Sequence, residues 1–308
     1  MSSPGGRSPA EIHSTPVDGV EIIGALSPSR ASDFMACPLL YRFRTIDKLP
    51  EPPSPDAVRG TLIHSILEDL FDLPAPERTE DQARSMLLPA WERLVDSDPG
   101  MSDMFGAAAP GADAPGADAL GADAASLTAW LTTCRAVLDR YFTLEDPTRL
   151  EPAEREVYVE AVLESKLLLR GFVDRIDLAP GGLMRVVDYK TGRAPGPMFE
   201  AKALFQMKFY ALILWRVRGI VPTVLQLIYL GSGEMLRYTP DEADLLATER
   251  KVDAIFRAIR QAEQTGDWRP NPSRLCSWCS HQALCPAYGG TPPPLPALLP
   301  PESATATP

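Results

Sequence analysis

RGFVDRID at residues 170–177 and VVDYKTG at residues 186–192 are the segments that decide the fold. They belong to two predicted strands, Leu167–Ile176 and Leu183–Lys190, which are rich in apolar and β-branched residues. The sequence APGG at residues 179–182 is typical of a tight turn. We therefore expect these two strands to pair as an antiparallel hairpin.

Further elements are predicted on both sides of this hairpin. Thr61–Phe71 has apolar residues at helical spacing and predicts an amphipathic helix. The other expected elements are a helix at Ser27–Arg44, a helix at Leu127–Tyr141, a strand at Val157–Val162, a helix at Ala201–Arg218, a strand at Val221–Leu230 and a helix at Asp241–Thr265. This succession of strands and helices predicts a mixed α/β fold.

Composition predicts a single folded domain at residues 25–288. Residues 1–24 are rich in Gly, Pro and Ser and predict a flexible leader, and the Pro-rich residues 289–308 predict a disordered tail. Near-copies of Gly-Ala-Asp-Ala predict an acidic low-complexity insert at about residues 97–125. No apolar run is long enough to cross a membrane and no signal peptide is evident, so we expect a cytoplasmic protein with reduced thiols.

The negative charge of the chain is concentrated in one segment. Residues 68–125 carry 13 acidic and 3 basic side chains, a net charge of −10, against −11 for the whole chain. Because electrostatic interactions are screened over about 8 Å at physiological salt, the local charge decides whether DNA is tolerated. The acidic composition therefore does not exclude a nucleic-acid partner.

Asp174, Asp188 and Lys190 form the most informative group of polar residues. Asp188 and Lys190 lie two residues apart on one strand, so their side chains share a face, and Asp174 is expected at the end of the preceding strand. Two carboxylates close together repel each other unless a cation lies between them, and oxygen ligands suit Mg²⁺ or Mn²⁺. The alternative is an ion pair on an exposed hairpin.

These residues resemble a known nuclease core. Asp174, the run Asp188-Tyr189-Lys190-Thr191-Gly192, and Gln206-x3-Tyr210 resemble the PD-(D/E)XK nuclease superfamily. His64, in RGTLIHSILEDLF, resembles the upstream histidine of its RecB-type exonuclease branch, which includes Cas4-like and AddB-like proteins. The resemblance implies a restriction-endonuclease-like core, with a mixed β-sheet flanked by helices, a helical N-terminal part and a C-terminal cysteine cluster.

The resemblance also implies how a metal would be held. His64, Asp174, Asp188 and the carbonyl group of Tyr189 would bind Mg²⁺ or Mn²⁺. Lys190 would be the catalytic lysine.

Other residues would support this centre. The resemblance implies that Gln206 and Tyr210 assist catalysis or strand binding. Glu156 would be the acidic residue that opens the motif, although Glu160 competes for that role. Arg170 and Arg175 flank Asp174 and are candidates for phosphate contacts, with solvated strand-end arginines as the alternative.

A second group consists of cysteines. Cys276-x2-Cys279-x5-Cys285 indicates a metal site that needs a fourth ligand, for which the candidates are Cys37, Cys134 and His281. A Zn²⁺ site closed by His281 is one possibility. The family resemblance instead implies a [4Fe-4S] cluster closed by Cys37, which leaves Cys134 as a buried packing residue.

Together these patterns predict a metal-dependent DNA exonuclease that hydrolyses phosphodiester bonds in single-stranded DNA or at DNA ends, in repair or recombination. No Gly-x4-Gly-Lys-Ser/Thr motif occurs, so unwinding would come from a helicase or another repair protein. One alternative is a catalytically silent or partner-dependent DNA-binding scaffold, such as a helicase-associated or CRISPR-adaptation subunit. Another is a zinc-binding module whose Asp-x-Lys is accidental.

Overall fold

The structure, a computed structural model, describes residues 21–101, 103–106, 118–196 and 200–296. The predicted leader up to residue 20, much of the predicted acidic insert and the end of the predicted tail lie outside the described residues.

The described chain divides into two compact units. The sheet unit contains Pro53–Arg250 and the described residues before Leu26, and the cysteine unit contains Leu26–Pro52 and the described residues from Lys251 onward. The single domain expected at residues 25–288 thus draws on both units, and its boundaries stay a prediction.

A six-stranded mixed sheet is the centre of the sheet unit. Its strands are β1 Gly24–Leu26, β2 Glu154–Val162, β3 Leu167–Ala179, β4 Leu183–Lys190, β5 Val224–Tyr229 and β6 Glu234–Tyr238. The order is β1-β3-β4-β5-β6, with β2 paired to β3 beside this path. The pairs β2–β3, β3–β4 and β5–β6 are antiparallel, whereas β4–β5 is parallel. The expected mixed α/β fold, with helices flanking a mixed sheet, is confirmed.

The helices follow the predicted pattern with additions. They are α1 Pro28–Ala36, α2 Pro38–Tyr41, α3 Pro55–Leu70, α4 Glu80–Ser85, α5 Leu87–Ser97, α6 Asp103–Gly106, α7 Asp118–Leu144, α8 Glu200–Arg218 and α9 Glu242–Thr265. Ser54 starts α3 by accepting a hydrogen bond from the backbone N–H of Ala57, with proline at the first helical position. In the described part of the chain, no helix is both long and apolar enough to span a membrane.

One apolar cluster fixes α3 in the sheet unit. The buried residues of α3 that pack in this cluster are Val58, Leu62, Ile63, Ile66, Leu67 and Leu70. Val187 and Tyr189 of β4 and Cys134 of α7 belong to the same cluster. Cys134 is fully buried, which confirms that it is a packing residue. Since α3 is held rigidly against β4, a polar side chain on α3 has a defined position relative to the strand.

The structure corrects two details of the sequence predictions. The helix expected at Ser27–Arg44 is interrupted at Cys37, whose backbone is extended because a following proline disfavours helical geometry. Asp174 was expected at the end of its strand, but β3 continues to Ala179 and Asp174 lies well inside it.

Candidate active site

Three acidic residues lie side by side on neighbouring strands. The pairs Arg155–Arg175 and Val157–Val173 in the β2–β3 register place Glu156 opposite Asp174. The pair Arg175–Val187, extended by one residue, places Asp188 opposite Asp174 on the other side. Directly opposed residues of antiparallel strands project from the same face. The sheet therefore aligns one carboxylate each from β2, β3 and β4.

His64 on α3 completes this group, which we call the carboxylate cluster: His64, Glu156, Asp174 and Asp188. The Nδ1 atom of His64 lies 3.6 Å from Glu156 Oε1 and 3.5 Å from Asp174 Oδ2. Its Nε2 atom lies 2.9 Å from the carbonyl oxygen of Tyr189. One ligand atom each of His64, Glu156 and Asp174 lies within 4.8 Å of the others, a spacing that suits a single metal ion.

The backbone of Glu156 is strained. Its φ of 41° lies in the left-handed region, which non-glycine residues adopt at a cost of about 1–3 kcal/mol. Such strain persists where the surrounding structure requires it and concentrates at functional sites. The geometry thus favours Glu156 over Glu160 as the acidic residue of this centre. Glu160 instead accepts a hydrogen bond from the Tyr158 hydroxyl group at 2.6 Å.

The pKa values in the cluster show why a cation fits. Burial and the nearby charge of Asp188 together raise the pKa of Asp174 to about 7, because the charges of His64 and Lys190 and the backbone N–H of Tyr189 offset them only in part. Burial alone would lower the pKa of His64, but Glu156, Asp174 and Asp188 outweigh it and raise this pKa to about 9. Without a metal, protons therefore compensate for the negative charge at neutral pH. A divalent cation would replace them.

Asp188 has an oxygen that is held by an ion pair and not by a well-aligned hydrogen bond. Asp188 Oδ2 is buried and lies 2.7 Å from the Lys190 ammonium group, yet it accepts no well-aligned hydrogen bond. The donor set of His64, Glu156, Asp174 and Asp188 therefore fits Mg²⁺ or Mn²⁺, which prefer oxygen ligands.

Gln206 links Lys190 to the cluster. Lys190 Nζ donates to Gln206 Oε1 at 2.9 Å, and Gln206 Nε2 donates to Asp188 Oδ1 at 2.9 Å and to the Tyr210 hydroxyl oxygen at 3.1 Å. The side chains of Gln206 and Tyr210 share a face of α8 because they are four residues apart. The structure therefore brings together all of the sequence-predicted residues of this centre except the arginines.

The structure corrects the prediction for Arg175. It was a candidate for phosphate contacts, but it is only 1% exposed and cannot reach a DNA strand. Residues of a strand alternate between faces, so Arg175 points away from Asp174. Its guanidinium group binds both carboxylate oxygens of Glu145, at 2.8 and 2.9 Å, and also contacts Asp177 and the Tyr189 hydroxyl group. Sequence reasoning missed Glu145 because no local motif marks it.

Arg170 differs from Arg175. It lies on the same face as Asp174, opposite Glu160 in the β2–β3 register, and it is half-buried. A contact with DNA stays a prediction for Arg170 alone.

The cysteine unit contains a second candidate site. Cys37, Cys276, Cys279 and Cys285 line one pocket, together with apolar residues such as Phe43. The backbone N–H of Asn271 donates to Cys37 Sγ at 3.4 Å, and the backbone N–H of Ser273 donates to Cys276 Sγ at 3.2 Å. The Ser273 hydrogen bond lowers the pKa of Cys276, which favours the thiolate form that binds metals.

His281 lines the same pocket but has another partner. Its Nε2 atom lies 2.8 Å from Glu51 Oε1, and its ring packs edge-on against Phe43. In a tetrahedral zinc site with Zn–S bonds of about 2.3 Å, the sulfur atoms would lie about 4 Å apart. Among the described residues, no three cysteine or histidine ligand atoms of this pocket are all within 4.8 Å of one another. Zinc therefore stays the alternative prediction for this pocket.

Comparisons with known proteins agree with this architecture. The family model described as "PD-(D/E)XK nuclease superfamily" matches residues 25–286. The "Gene 69 protein" of Mycobacterium phage D29 is 24% identical over 276 residues, which cover 85% of this chain and 96% of the phage protein. The "Gene 69 protein" of Mycobacterium phage L5 is 22% identical over 287 residues, with the same coverage. The crystal structure of a "Putative exonuclease" from Eubacterium rectale is similar in fold, with a TM-score of 0.51, 12% identity, and coverage of 83% of this chain and 87% of that one.

Proposed function

Because the chain belongs to the PD-(D/E)XK nuclease superfamily, we propose that it is a Mg²⁺- or Mn²⁺-dependent DNA exonuclease of the RecB/Cas4-like type. Its substrates are single-stranded DNA or DNA ends, and its role is in repair or recombination, with a helicase or another repair protein as partner. The observation that carries this proposal is the convergence of His64, Glu156 and Asp174 at metal-binding spacing, with Asp188 on the neighbouring strand beside Lys190.

The carboxylate cluster would hold the metal. His64, Glu156, Asp174 and Asp188 supply the side chains, and the Tyr189 carbonyl oxygen lies beside His64. A divalent cation at such a site polarises a phosphoryl oxygen and lowers the pKa of a bound water molecule.

The residues around Lys190 position the reacting groups. Lys190 lies at the cluster with its ammonium group shared between Asp188 and Gln206, where it can orient a water molecule or stabilise negative charge developing on the phosphate. Gln206 fixes the rotamers of both Lys190 and Asp188, and the Tyr210 hydroxyl group holds Gln206 in turn. Gln206 and Tyr210 are thus positioning residues.

Cleavage of end-labelled DNA tests this function. The full-length protein with Mn²⁺ should shorten a 5′-labelled single strand, and Lys190→Ala should lower the rate by about 10²-fold or more. Lys202→Ala is the matched control, because Lys202 is an exposed lysine on α8, the helix that also carries Gln206. This variant should cleave at the wild-type rate. Equal rates for Lys190→Ala and wild type would contradict the proposal.

The substrate end at which digestion starts follows from the same assay. A label released as mononucleotide from one end, with the remainder of the strand intact, would support the exonuclease mode. Internal fragments of many lengths from the first time point would show an endonuclease instead.

We also propose that Cys37, Cys276, Cys279 and Cys285 bind a [4Fe-4S] cluster in a cytoplasmic, reducing environment. The four thiols are free and line a single pocket. Three of the four ligands follow each other within ten residues, and Asn271 fixes the fourth by hydrogen bonds to Ala36 and Cys37.

A further inference from the structure

Tyr158 and Phe172 form an exposed aromatic pair in the sheet unit. They lie directly opposite each other in the β2–β3 register, with ring centroids 5.3 Å apart. Tyr158 is 45% exposed and Phe172 57%. Among the described strands, β2 pairs with β3 alone, so this pair lies next to a sheet edge. Exposed aromatic rings at a sheet edge favour aggregation unless they have a partner.

The position of the two rings indicates which kind of partner would cover them. Tyr158 follows Glu156 by two residues on β2, and Phe172 precedes Asp174 by two residues on β3. Residues two apart on a strand share a face and lie about 7 Å apart. The rings therefore continue the face of the sheet that bears the carboxylate cluster.

The neighbouring polar residues hold the pair in place. The Tyr158 hydroxyl group donates to Glu160 at 2.6 Å, which fixes the direction of the ring. Arg170 lies opposite Glu160 in the register, and its positive charge acts on the Tyr158 hydroxyl group. The face thus presents, in order, the carboxylate cluster, two aromatic rings, and the opposed side chains of Glu160 and Arg170.

We propose that Tyr158 and Phe172 form a stacking platform for the bases of single-stranded DNA whose scissile phosphate lies at the carboxylate cluster. This inference rests on the proposed nuclease function and specifies its substrate. Aromatic side chains bind single strands by stacking on bases, and every base offers a π-face. In a duplex these faces are covered by neighbouring bases, so the platform selects single strands or frayed ends. Arg170 supplies a positive charge for the backbone.

Comparing the affinities for a strand with bases and a strand without bases separates base stacking from electrostatic binding of the backbone. We expect the full-length protein, in the Lys190→Ala background so that DNA stays intact, to bind labelled oligo(dT) at least about tenfold more tightly than an abasic oligodeoxynucleotide of equal length. The double variant Tyr158→Leu, Phe172→Leu keeps apolar bulk on the strands but removes both flat rings. It should lose at least about tenfold in affinity for oligo(dT) and bind the abasic strand unchanged.

Controls make each outcome decisive. Tyr158→Phe and Phe172→Tyr keep the rings and should retain the preference for oligo(dT). Leu178→Ala removes another exposed apolar side chain of β3, at its hairpin end, and should also retain it. A Leu double variant that keeps wild-type affinity for oligo(dT), or that weakens binding of both strands equally, would overturn the platform.

A substrate without bases separates this inference from the nuclease function. Hydrolysis of bis(p-nitrophenyl) phosphate by the wild-type protein with Mn²⁺ requires the carboxylate cluster but offers no nucleobase to stack. If this hydrolysis occurs and the ring variants bind oligo(dT) normally, the platform is wrong and the nuclease stands. If the protein hydrolyses neither this diester nor DNA, the nuclease function is wrong, and a base-dependent affinity would identify the face as a single-strand binding surface alone.

Discussion

At the scale of single residues, the candidate site depends on charges that only a cation or protons can balance. The pKa of Asp174 is raised to about 7 and that of His64 to about 9 because they are buried together with further carboxylates. The protonated form is favoured in both groups, but its charge differs. Burial and repulsion favour the neutral carboxylic acid of Asp174, whereas the neighbouring carboxylates favour the positively charged imidazolium of His64. Both protons must leave before a metal can bind.

Metal affinity should therefore increase with pH. A metal needs a neutral imidazole and an ionised carboxylate, so the apparent Mn²⁺ affinity should rise as pH increases through about 7 and again towards about 9. Calorimetric titration at pH 7.5 in buffers of different ionisation enthalpy should show proton release on binding. His64→Gln should remove the upper part of this dependence. An affinity that is constant between pH 6.5 and 9 would contradict these proton positions.

Glu156 and Glu160 give a second test at this scale. Glu156 lies within the metal-binding spacing of His64 and Asp174, whereas Glu160 contacts Tyr158. We expect Glu156→Gln to lower Mn²⁺ affinity or the cleavage rate by about 10–100-fold. Glu160→Gln keeps a hydrogen-bond acceptor and should leave Mn²⁺ affinity unchanged. The reverse ranking of the two variants would assign the role to Glu160.

At the scale of secondary-structure elements, the sheet register brings the site together. β2, β3 and β4 each contribute one carboxylate, α3 contributes His64, and α8 contributes Gln206 and Tyr210. The hairpin of β3 and β4 and the helix with His64 were predictable from apolar periodicity and turn residues. The left-handed Glu156 and the burial of Arg175 follow from tertiary packing. Alternation along β3 could have placed Arg175 on the opposite face, but no sequence pattern names Glu145 as its partner.

The buried ion pair of Arg175 and Glu145 connects the residue that follows α7 to β3 and should matter for stability. Both side chains are nearly inaccessible to solvent, and removal of Glu145 leaves the buried Arg175 charge to Asp177, a carboxylate that Arg185 also binds. Glu145→Ala should lower the free energy of unfolding by about 3–5 kcal/mol in urea denaturation. The exposed pair of Asp72 and Arg155 provides the comparison, and Asp72→Ala should cost about 0–1 kcal/mol. Equal costs for the two variants would contradict this assignment.

At the scale of the whole molecule, residues distant in sequence form each site. The four cysteines come from two chain segments, and the entire sheet unit except its first described residues lies between them in sequence. A cluster bound by all four would constrain the unfolded chain over a long loop, and metal binding would contribute to folding. The spacing of three cysteines was visible in the sequence, whereas Cys37 was identified by resemblance alone.

Loss of one cysteine should therefore affect the whole cysteine unit. Anaerobically purified Cys279→Ser should contain less iron than the wild-type protein and should be cut faster by protease within residues 251–296. Cys134→Ala is the matched control, because Cys134 is buried in the core of the sheet unit, and it should keep its iron. Iron content and protease resistance equal to wild type in Cys279→Ser would rule out the proposed cluster.

The central claim is that one metal centre on the sheet cleaves DNA, and the Mn²⁺ dependence of single-strand cleavage tests it most directly. Asp174→Asn keeps the size of the side chain but removes the charge that Glu156 and Asp188 flank. We predict saturable Mn²⁺ activation of the wild-type protein, and for Asp174→Asn a lower maximum rate that requires at least about tenfold more Mn²⁺. Identical activation curves for the two proteins would contradict the account.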